Sequence, residues 1–338
     1  MEMRPFGCTE MQVSVLGLGA AEIGFENTPD HTVDRMVGQA HDTGLNVIDT
    51  AAMYGDSEEK IGRVLRGRRD RFLLFTKCGR QLQPRASLSG FLARADRTLR
   101  HMVGLKDGLD STDWHPRALK QNIETSLIRL KTDRIDLIQL HSCSEETLRE
   151  GDVLEVLQRA RQSGKVRYIG YSGDGQAALY AVRSGFFDAL QISINIAEQE
   201  ALELIVPLAR EKNMGIIAKR PIATGLWKKA QTEAIDQHIC LERLQKLQYD
   251  FLKGPQDFET ALRFTISVPG VSTAIVGTTD IAHFGENIEF ARAGSLDQCQ
   301  FDSIHNRWKQ IAQPECVGQV SLCPKHVEAI AQPSVRRS

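Results

Sequence analysis

The sequence lacks the features that define several large protein classes. Its seven cysteines are odd in number and form no Cys-x-x-Cys pair, which argues for reduced thiols in the cytoplasm rather than a disulfide framework. The nearest late pair, Cys316 and Cys323, has no His or Cys neighbours at metal-ligand spacing, so we predict no metal site. No apolar run approaches the roughly 20 residues of a membrane span, and MEMRPFGCTEMQ lacks the apolar segment of a signal peptide.

The sequence also has no excess of charge of either sign. Lys and Arg total 42 against 43 Asp and Glu, so no global field attracts nucleic acid or an anionic membrane. The locally basic run at 63–71 is typical of a solvated helix end, where cations are favourable. We therefore expect a cytoplasmic protein whose partner is a small molecule, with no nucleic-acid or membrane partner.

The sequence does contain a regular alternation of apolar strand-like runs and amphipathic helix-like stretches. The near-continuous Val, Ile and Leu content of the runs is typical of parallel strands buried on both faces. The predicted strands are 13–19, 45–49, 71–77, 134–140, 166–172, 189–194, 214–220 and 273–277. The predicted helices are 30–43, 57–67 with Ser57 as its cap, one from 116, about 146–164, 177–185, 201–213, 258–268 and about 282–293.

About eight strand–helix repeats predict an α/β fold, a (β/α)8 TIM barrel, as a single domain over residues 1–338. The barrel core would span about 13–295, after an N-terminal hairpin at 4–13. The C-terminal extension at 296–338 would cross the barrel mouth or end in disorder. A doubly wound sheet fits less well, because the Gly-rich LGLGAAEIG lacks the acidic residue expected at the end of a second strand.

Four polar residues follow or end these strands and together suit proton donation to a carbonyl oxygen. They are Asp49, Tyr54, Lys77 and His141. A phenol is a poor acid near neutral pH because its pKa is about 10. A neighbouring ammonium favours the phenolate, and a carboxylate keeps that ammonium charged and in place. An imidazole beside them can orient the carbonyl or share the proton.

The segments that carry these residues resemble the aldo-keto reductases. The resemblance runs through GLNVIDTAAMYGDSEEKIGRVL, FTKCG, IETSLIRLKTDRIDLIQLH, GKVRYIGYS and AIVGTTDIAHFGENI, over about residues 13–295. It implies a TIM barrel that binds a nicotinamide cofactor without a Rossmann domain. It also implies that Asp49, Tyr54, Lys77 and His141 are a catalytic tetrad, with Tyr54 as the general acid.

The resemblance further implies residues at the nicotinamide end of the cofactor. Gly19 ends the Gly-rich first strand, Ser172 ends the fifth, and Gln191 matches a carboxamide-binding Gln. Gly173 stands where the family often has Asn. The stacking position of the family falls on Ile194, which can press on the ring by dispersion but loses an aromatic stacking contribution of roughly 0.5–1.5 kcal/mol.

The adenine end is predicted at the last strand and the helix that follows it. The first N–H groups of that helix would form an anion site. The predicted contacts are Gly277, Thr278, Thr279, His283, Glu286 and Asn287. Gly277 and His283 stand where the family often has Lys and Arg for a 2′-phosphate, and Asp280 would repel a phosphate if it pointed inward. NADP(H) is favoured and NAD(H) is possible.

The substrate pocket is the least predictable part. Trp114 and Trp227 are candidate pocket walls, although packing aromatics are equally consistent. The predicted activity is NAD(P)H-dependent reduction of an aldehyde or ketone to an alcohol. One alternative is a slow, cofactor-sensing regulatory subunit on the same barrel. A Schiff-base aldolase using Lys77 is disfavoured, because an ion pair with Asp49 keeps the amine protonated.

Overall fold

The strands account for the barrel and two small sheets outside it. A computed structural model describes residues 1–83, 109–229 and 235–312. The strands are β1 (Met3–Pro5), β2 (Gln12–Ser14), β3 (Leu16–Gly19), β4 (Val47–Asp49), β5 (Leu73–Cys78), β6 (Arg80–Gln83), β7 (Leu109–Thr112), β8 (Ile135–His141), β9 (Val166–Ser172), β10 (Ala189–Ser193), β11 (Gly215–Lys219) and β12 (Val271–Gly277). β1 pairs antiparallel with β2, and β6 with β7.

The other eight strands close into a parallel barrel. Its order is β3-β4-β5-β8-β9-β10-β11-β12, with β12 pairing back to β3. All eight predicted strands are present, and the bounds of β9 are those predicted. The closed sheet confirms the predicted (β/α)8 TIM barrel and excludes the doubly wound alternative.

Helices surround the barrel and bury its outer face. They are α1 (Ala21–Phe25), α2 (Asp30–Thr43), α3 (Ser57–Val64), α4 (Pro116–Leu130), α5 (Glu145–Glu150), α6 (Asp152–Gln162), α7 (Gly175–Ser184), α8 (Ile205–Glu211), α9 (Ile235–Leu247), α10 (Asp257–Ser267), α11 (Ile281–Arg292) and α12 (Gln298–Ala312). The bounds of α2 are those predicted. The predicted apolar stripe of α4 is also confirmed, since Ile123, Leu127 and Leu130 are buried.

Three helix predictions need correction. The single helix expected at 146–164 is two helices, α5 and α6, because Gly151 takes a left-handed φ of 87° between them. The helix expected at 201–213 is interrupted by the non-helical backbone of Leu204 and becomes a 3₁₀ turn followed by α8. Ser57 does not cap α3: Asp56 is the N-cap residue, and Ser57 Oγ instead donates to the carbonyl of Ala20, 2.7 Å away.

The chain closes the bottom of the barrel with its N-terminal hairpin. Phe6 is fully buried there and its ring centroid lies 5.4 Å from that of Phe75. A side chain on Gly215 would collide with the Phe6 ring, at 2.6 Å. The predicted hairpin therefore seals the floor and leaves the opposite, carboxyl end of the strands as the open mouth.

A second apolar core joins α9 to α12, beside the barrel. Tyr249 is buried in it and donates from its hydroxyl to the carbonyls of Ile196 and Ile304. Trp308 Nε1 donates to the carbonyl of Ala197 at 2.9 Å. The first part of the C-terminal extension is thus a packed helix. The rest of the extension, residues 313–338 with Cys316 and Cys323, lies outside the described residues.

Candidate active site

Three of the four predicted catalytic residues lie at the carboxyl ends of neighbouring barrel strands. Asp49 is the last residue of β4, Lys77 the last but one of β5, and His141 the last of β8. These strands are adjacent in the barrel, so their end residues meet at one mouth. Tyr54 lies in the turn between β4 and α3, where its N–H donates to the carbonyl of Ala51 at 3.0 Å. The structure brings all four residues together.

A buried ion pair forms the base of the site. Lys77 Nζ donates to Asp49 Oδ1 and, at 2.9 Å, to the carbonyl of Thr50. Both charged side chains are 1% exposed. Removing two charges from water is costly unless they are paired and hydrogen-bonded, and both conditions hold here.

Tyr54 and His141 stand above this ion pair. The Lys77 ammonium lies 4.9 Å from the centroid of the Tyr54 ring. The Tyr54 and His141 rings meet edge to face, 5.8 Å apart at 89°. Tyr54 is partly buried as a residue, and His141 is buried. A small carbonyl compound at the mouth would therefore meet a phenol and an imidazole together.

Burial and neighbouring charges together set the protonation states of Tyr54 and Lys77. Burial raises the pKa of Tyr54 above its ordinary value, although the Lys77 charge and its hydrogen bond act in the opposite direction. Burial alone would lower the pKa of Lys77, but the Asp49 carboxylate and the Tyr54 phenol together raise it. Lys77 is therefore a permanent ammonium and Tyr54 a protonated phenol at neutral pH.

His141 is a neutral imidazole. Burial lowers its pKa well below the ordinary value, and the charges of Lys77, Arg80 and Lys219 lower it further. Among the residues that the structure describes, none is a hydrogen-bond partner of its buried Nδ1. A neutral ring can donate a hydrogen bond to an oxygen without competing with Tyr54 as the acid.

The depressed pKa of His141 predicts a specific loss of stability in acid. Below its ordinary pKa of about 6.5, the unfolded chain binds a proton at His141 more readily than the folded protein, so stability falls as pH falls through this value. The free energy of unfolding, measured with urea, should fall less between pH 7.5 and pH 5.0 for His141→Asn than for the wild type. The control is His31→Asn, which changes an exposed histidine. Equal losses in all three proteins would refute the prediction.

A chain of amide and hydroxyl groups continues from Asp49 across the mouth. Gln191 Nε2 donates to Asp49 Oδ2 at 2.9 Å, and Ser172 Oγ donates to Gln191 Oε1 at 2.7 Å. Gln139 Nε2 also donates to Asp49 Oδ2, at 3.3 Å. The sequence analysis missed Gln139, although it stands two residues before His141 in β8. Strand alternation puts both on the interior face and would have identified it.

The chain is similar to known proteins in both sequence and fold. A sequence model of the Aldo/keto reductase family matches residues 15–309, most of the chain. The chain belongs to the aldo/keto reductase family. Members of this family are oxidoreductases that use nicotinamide cofactors, so the resemblance found in the sequence is confirmed.

Three relatives show how far this similarity extends. The uncharacterized oxidoreductase YqkF of Bacillus subtilis is 25% identical over 328 residues, covering 92% of this chain and 97% of its own. The NADH-specific methylglyoxal reductase of Escherichia coli is 27% identical over 237 residues, covering 67% and 69%. The holo form of aldo-keto reductase AKR11C1 from Bacillus halodurans covers 91% of this chain and 96% of its own with a TM-score of 0.74, and at 23% identity it supports the fold alone.

Two departures from the aldo/keto reductase pattern, Gly173 and Ile194, directly follow the ends of β9 and β10. A side chain at Gly173 would meet the Tyr171 hydroxyl at 2.5 Å, and that hydroxyl donates to the carbonyl of Cys143. Ile194, predicted to lie against the nicotinamide ring, is fully buried in the apolar core directly after β10. At the mouth, β10 ends with Ser193. The partly exposed Lys219 ends the neighbouring β11 and pairs with Asp174 at 2.8 Å.

The predicted anion site at the start of α11 is filled by the chain's own carboxylate. Asp280 Oδ1 accepts from the N–H groups of Ala282 at 2.7 Å and His283 at 3.3 Å. These bonds lower the pKa of the Asp280 carboxyl. The helix N-terminus is therefore satisfied by an anion that the sequence itself supplies.

Two further acids contact the turn 277–280, which we call the cofactor turn. Glu26 accepts a hydrogen bond from Thr279 Oγ1 at 2.6 Å. The Glu22 carboxylate covers Gly277 so closely that a side chain there would lie 1.9 Å from it. Burial raises the pKa of Glu22, and the charge of Glu26 adds to the rise. The sequence analysis missed both acids because α1, which carries Glu22, is too short to produce a periodic signal.

The remaining predicted cofactor residues have mixed surroundings. Asn287 is buried and donates to the carbonyl of His283, at 2.8 Å, whereas Glu286 is exposed. Thr278 Oγ1 accepts from the N–H of Asp280 at 3.1 Å. Gly19 is the last residue of β3, which pairs with β12. A side chain at this position would come within 3.1 Å of the Val276 carbonyl oxygen. These contacts fix the shape of the cofactor turn and the start of α11.

The two tryptophans proposed as pocket walls differ in position. The Trp114 ring lies against Gly79, two residues after Lys77, so closely that a side chain on Gly79 would be 1.9 Å from it. Trp227 Nε1 donates to Asp257 at 2.7 Å, and its ring packs 4.9 Å from that of Phe258. Trp114 is therefore next to β5, which carries Lys77. Trp227 lies in the 3₁₀ segment Ala223–Lys228 and packs this segment against α10.

The described part of the chain has neither a metal-ligand cluster nor a membrane-spanning helix. Within 1–83, 109–229 and 235–312, no group of three or more His, Cys, Asp or Glu residues could hold a metal ion. No helix in those same ranges is long and apolar enough to cross a membrane.

Proposed function

We propose that this chain is a nicotinamide-dependent carbonyl reductase that interconverts a small aldehyde or ketone and its alcohol. Tyr54 is the proton donor in reduction. The observation that carries the proposal is the Tyr54 phenol, held between the buried Lys77 ammonium and the neutral His141 ring. The site is assembled for catalysis, which argues against the alternative of a slow regulatory subunit.

Each protein group has one task in this reaction. The neutral His141 donates a hydrogen bond to the substrate carbonyl oxygen and orients it. Tyr54 gives its proton to that oxygen, and Lys77 stabilises the phenolate that remains. Asp49 holds the Lys77 ammonium in position. When bound, the nicotinamide supplies the hydride in reduction and accepts it in the reverse direction.

The described residues fit a nicotinamide dinucleotide. Ser172 and Gln191 present a polar pair beside the tetrad and would hold the carboxamide. Gln139 Oε1 and His141 Nδ1 are buried polar atoms for which the described part of the chain supplies no partner. Buried polar groups are rarely left unpaired, so these two atoms are consistent with a ligand or water at the mouth.

The same ion pair argues against aldolase chemistry. A Schiff-base lysine must be neutral to attack a carbonyl carbon. Lys77 is bound to Asp49 and its pKa is raised, so its amine is protonated. Borohydride added with a carbonyl substrate should therefore leave no covalent adduct on Lys77.

The acids at the cofactor turn favour NAD(H), whereas the sequence pattern favours NADP(H). A 2′-phosphate at this turn would approach Glu26 and Asp280, and the helix N–H groups that could bind it are already used by Asp280. A ribose with free hydroxyls would instead find carboxylate acceptors. The printed specificity of the Escherichia coli relative for NADH is consistent with this choice.

Titration with both cofactors tests the preference. We expect NADH to bind at least about tenfold more tightly than NADPH, which corresponds to about 1.4 kcal/mol. Glu26→Gln should narrow this ratio, because it removes a charge next to the proposed phosphate position. The matched control is Glu289→Gln, at the far end of α11, where Glu289 pairs with Arg292. Tighter binding of NADPH would overturn the preference, and no binding of either would overturn the proposed function.

A further inference from the structure

The segment from Ala20 to Asn27, which contains α1, lies between the cofactor turn and the catalytic tyrosine. On one side, Glu22 and Glu26 contact Gly277 and Thr279, as described above. On the other side, the Phe25 ring meets the Tyr54 ring edge to face at 5.6 Å. One short piece of chain therefore touches both ends of the proposed site.

Backbone atoms also contact the turn that carries Tyr54, in addition to the Phe25 ring. A Cβ on Gly24 would lie 1.8 Å from the Tyr54 carbonyl oxygen and 3.0 Å from the Ser57 nitrogen. Gly55 is equally close from the other side, since a Cβ there would lie 2.9 Å from the Gly24 carbonyl oxygen. Its φ of +55° is in the left-handed region that favours glycine. Backbone cannot rotate away as a flexible side chain can. Because glycine has no side chain, the backbone of α1 can lie directly against the turn that carries Tyr54 and so fix the position of that turn.

Buried polar contacts attach the same segment to the start of α3. Ser57 Oγ donates to the carbonyl of Ala20 at 2.7 Å and lies 2.9 Å from Thr50 Oγ1. Lys60, only 4% exposed, donates from Nζ to the carbonyl of Ile23 at 3.3 Å. Lys60 Nζ also pairs with Asp56, 3.0 Å away, which stands at the N-cap position of α3, two residues after Tyr54.

From these contacts we infer that α1 is a positioning element for Tyr54, with Gly24 and Lys60 as its positioning residues, and that it links the cofactor turn to the proton donor. The inference rests on the proposed function. Neither residue touches the reacting groups. They act by keeping Tyr54 at a fixed place relative to Lys77 and His141, and a misplacement of 1 Å can cost about 10²-fold in rate.

The first test compares two glycine-to-alanine changes. Gly24→Ala should lower kcat by about 10- to 100-fold. The matched control is Gly38→Ala in α2, where a Cβ meets nothing within 4 Å and kcat should be that of the wild type. Hydrogen exchange should be faster over residues 50–57 in Gly24→Ala alone. This second readout does not depend on activity.

The pH profile separates positioning from a general loss of structure. Lys77 lowers the pKa of Tyr54, so a Tyr54 moved away from Lys77 must have a higher pKa. The alkaline fall of kcat in Gly24→Ala should therefore shift to higher pH, whereas partial unfolding would lower kcat at every pH without this shift.

Lys60→Met supplies a second variant if Gly24→Ala does not fold. It keeps the bulk of the buried side chain, removes the bond to the Ile23 carbonyl, and should lower kcat in the same direction with KM little changed. The inference is overturned if a folded Gly24→Ala keeps kcat within about twofold of Gly38→Ala, against the expected 10- to 100-fold loss, or if Lys60→Met keeps the wild-type kcat. A wild-type protein that reduces no carbonyl with either cofactor would instead overturn the proposed function, and this inference with it.

Discussion

Tyr54→Phe is expected to lower kcat for carbonyl reduction by about 10²–10⁴-fold, the usual contribution of a positioned proton donor. The phenyl ring preserves the edge-to-face contacts with His141 and Phe25, so the shape of the mouth should persist. Cofactor affinity should therefore stay close to that of the wild type. Steady-state kinetics and a fluorescence titration of the variant measure the two quantities separately.

The choice of substrate sharpens this prediction. An activated carbonyl needs less protonation in the transition state, so it should lose less rate in Tyr54→Phe than an unactivated aldehyde. Tyr180→Phe, on the outer helix α7 beside Arg149, is the matched control and should keep wild-type kinetics. If Tyr54→Phe kept more than about a tenth of kcat on an unactivated aldehyde, with chemistry rate-limiting, Tyr54 would not be the acid.

Lys77→Met should lower kcat by a similar factor and should also destabilise the protein. The phenol loses the Lys77 charge, which favours its ionised form. Asp49, 1% exposed, loses its cation, and breaking a buried ion pair from one side costs about 3–5 kcal/mol. The loss of stability in Lys77→Met should lie at the lower end of this range, because Gln139 and Gln191 still donate hydrogen bonds to Asp49.

Urea unfolding and steady-state kinetics test the two effects of Lys77→Met independently. The exposed Lys120→Met on α4 is the control and should change neither. Tyr54 and Lys77 act as a unit, so the double variant should be little slower than the slower single variant. Wild-type kcat in Lys77→Met would contradict the role of the ammonium, and multiplied losses in the double variant would contradict the coupling.

The barrel and the tetrad could be predicted because both depend on local patterns of apolar and polar residues in the sequence. A buried parallel strand needs an uninterrupted apolar run, and each of Asp49, Lys77 and His141 ends or nearly ends such a run. Once the fold is a barrel, strand ends must meet at one mouth. The meeting of these side chains then follows from their positions in the sequence.

The rest of the site depends on contacts between distant segments, which no local pattern encodes. Glu22 and Glu26 lie about 250 positions before the turn that they contact. Gly24 is distinctive only because the backbone of Tyr54 is 1.8 Å from where its Cβ would be. The surroundings of Ile194 could not be predicted either, because a position counted from Gln191 does not say which neighbours a side chain has once the strand has ended.

Deuterium transfer from NADH to the product tests the central claim most directly. The purified protein would be given an aldehyde and NADH that carries deuterium at the transferable position of the nicotinamide, and the alcohol would be examined by mass spectrometry. If this chain is a hydride-transferring carbonyl reductase, each alcohol formed carries a single deuterium on the former carbonyl carbon, and Tyr54→Phe forms the same labelled product far more slowly. An alcohol without deuterium, or no alcohol with either nicotinamide cofactor, would contradict the account.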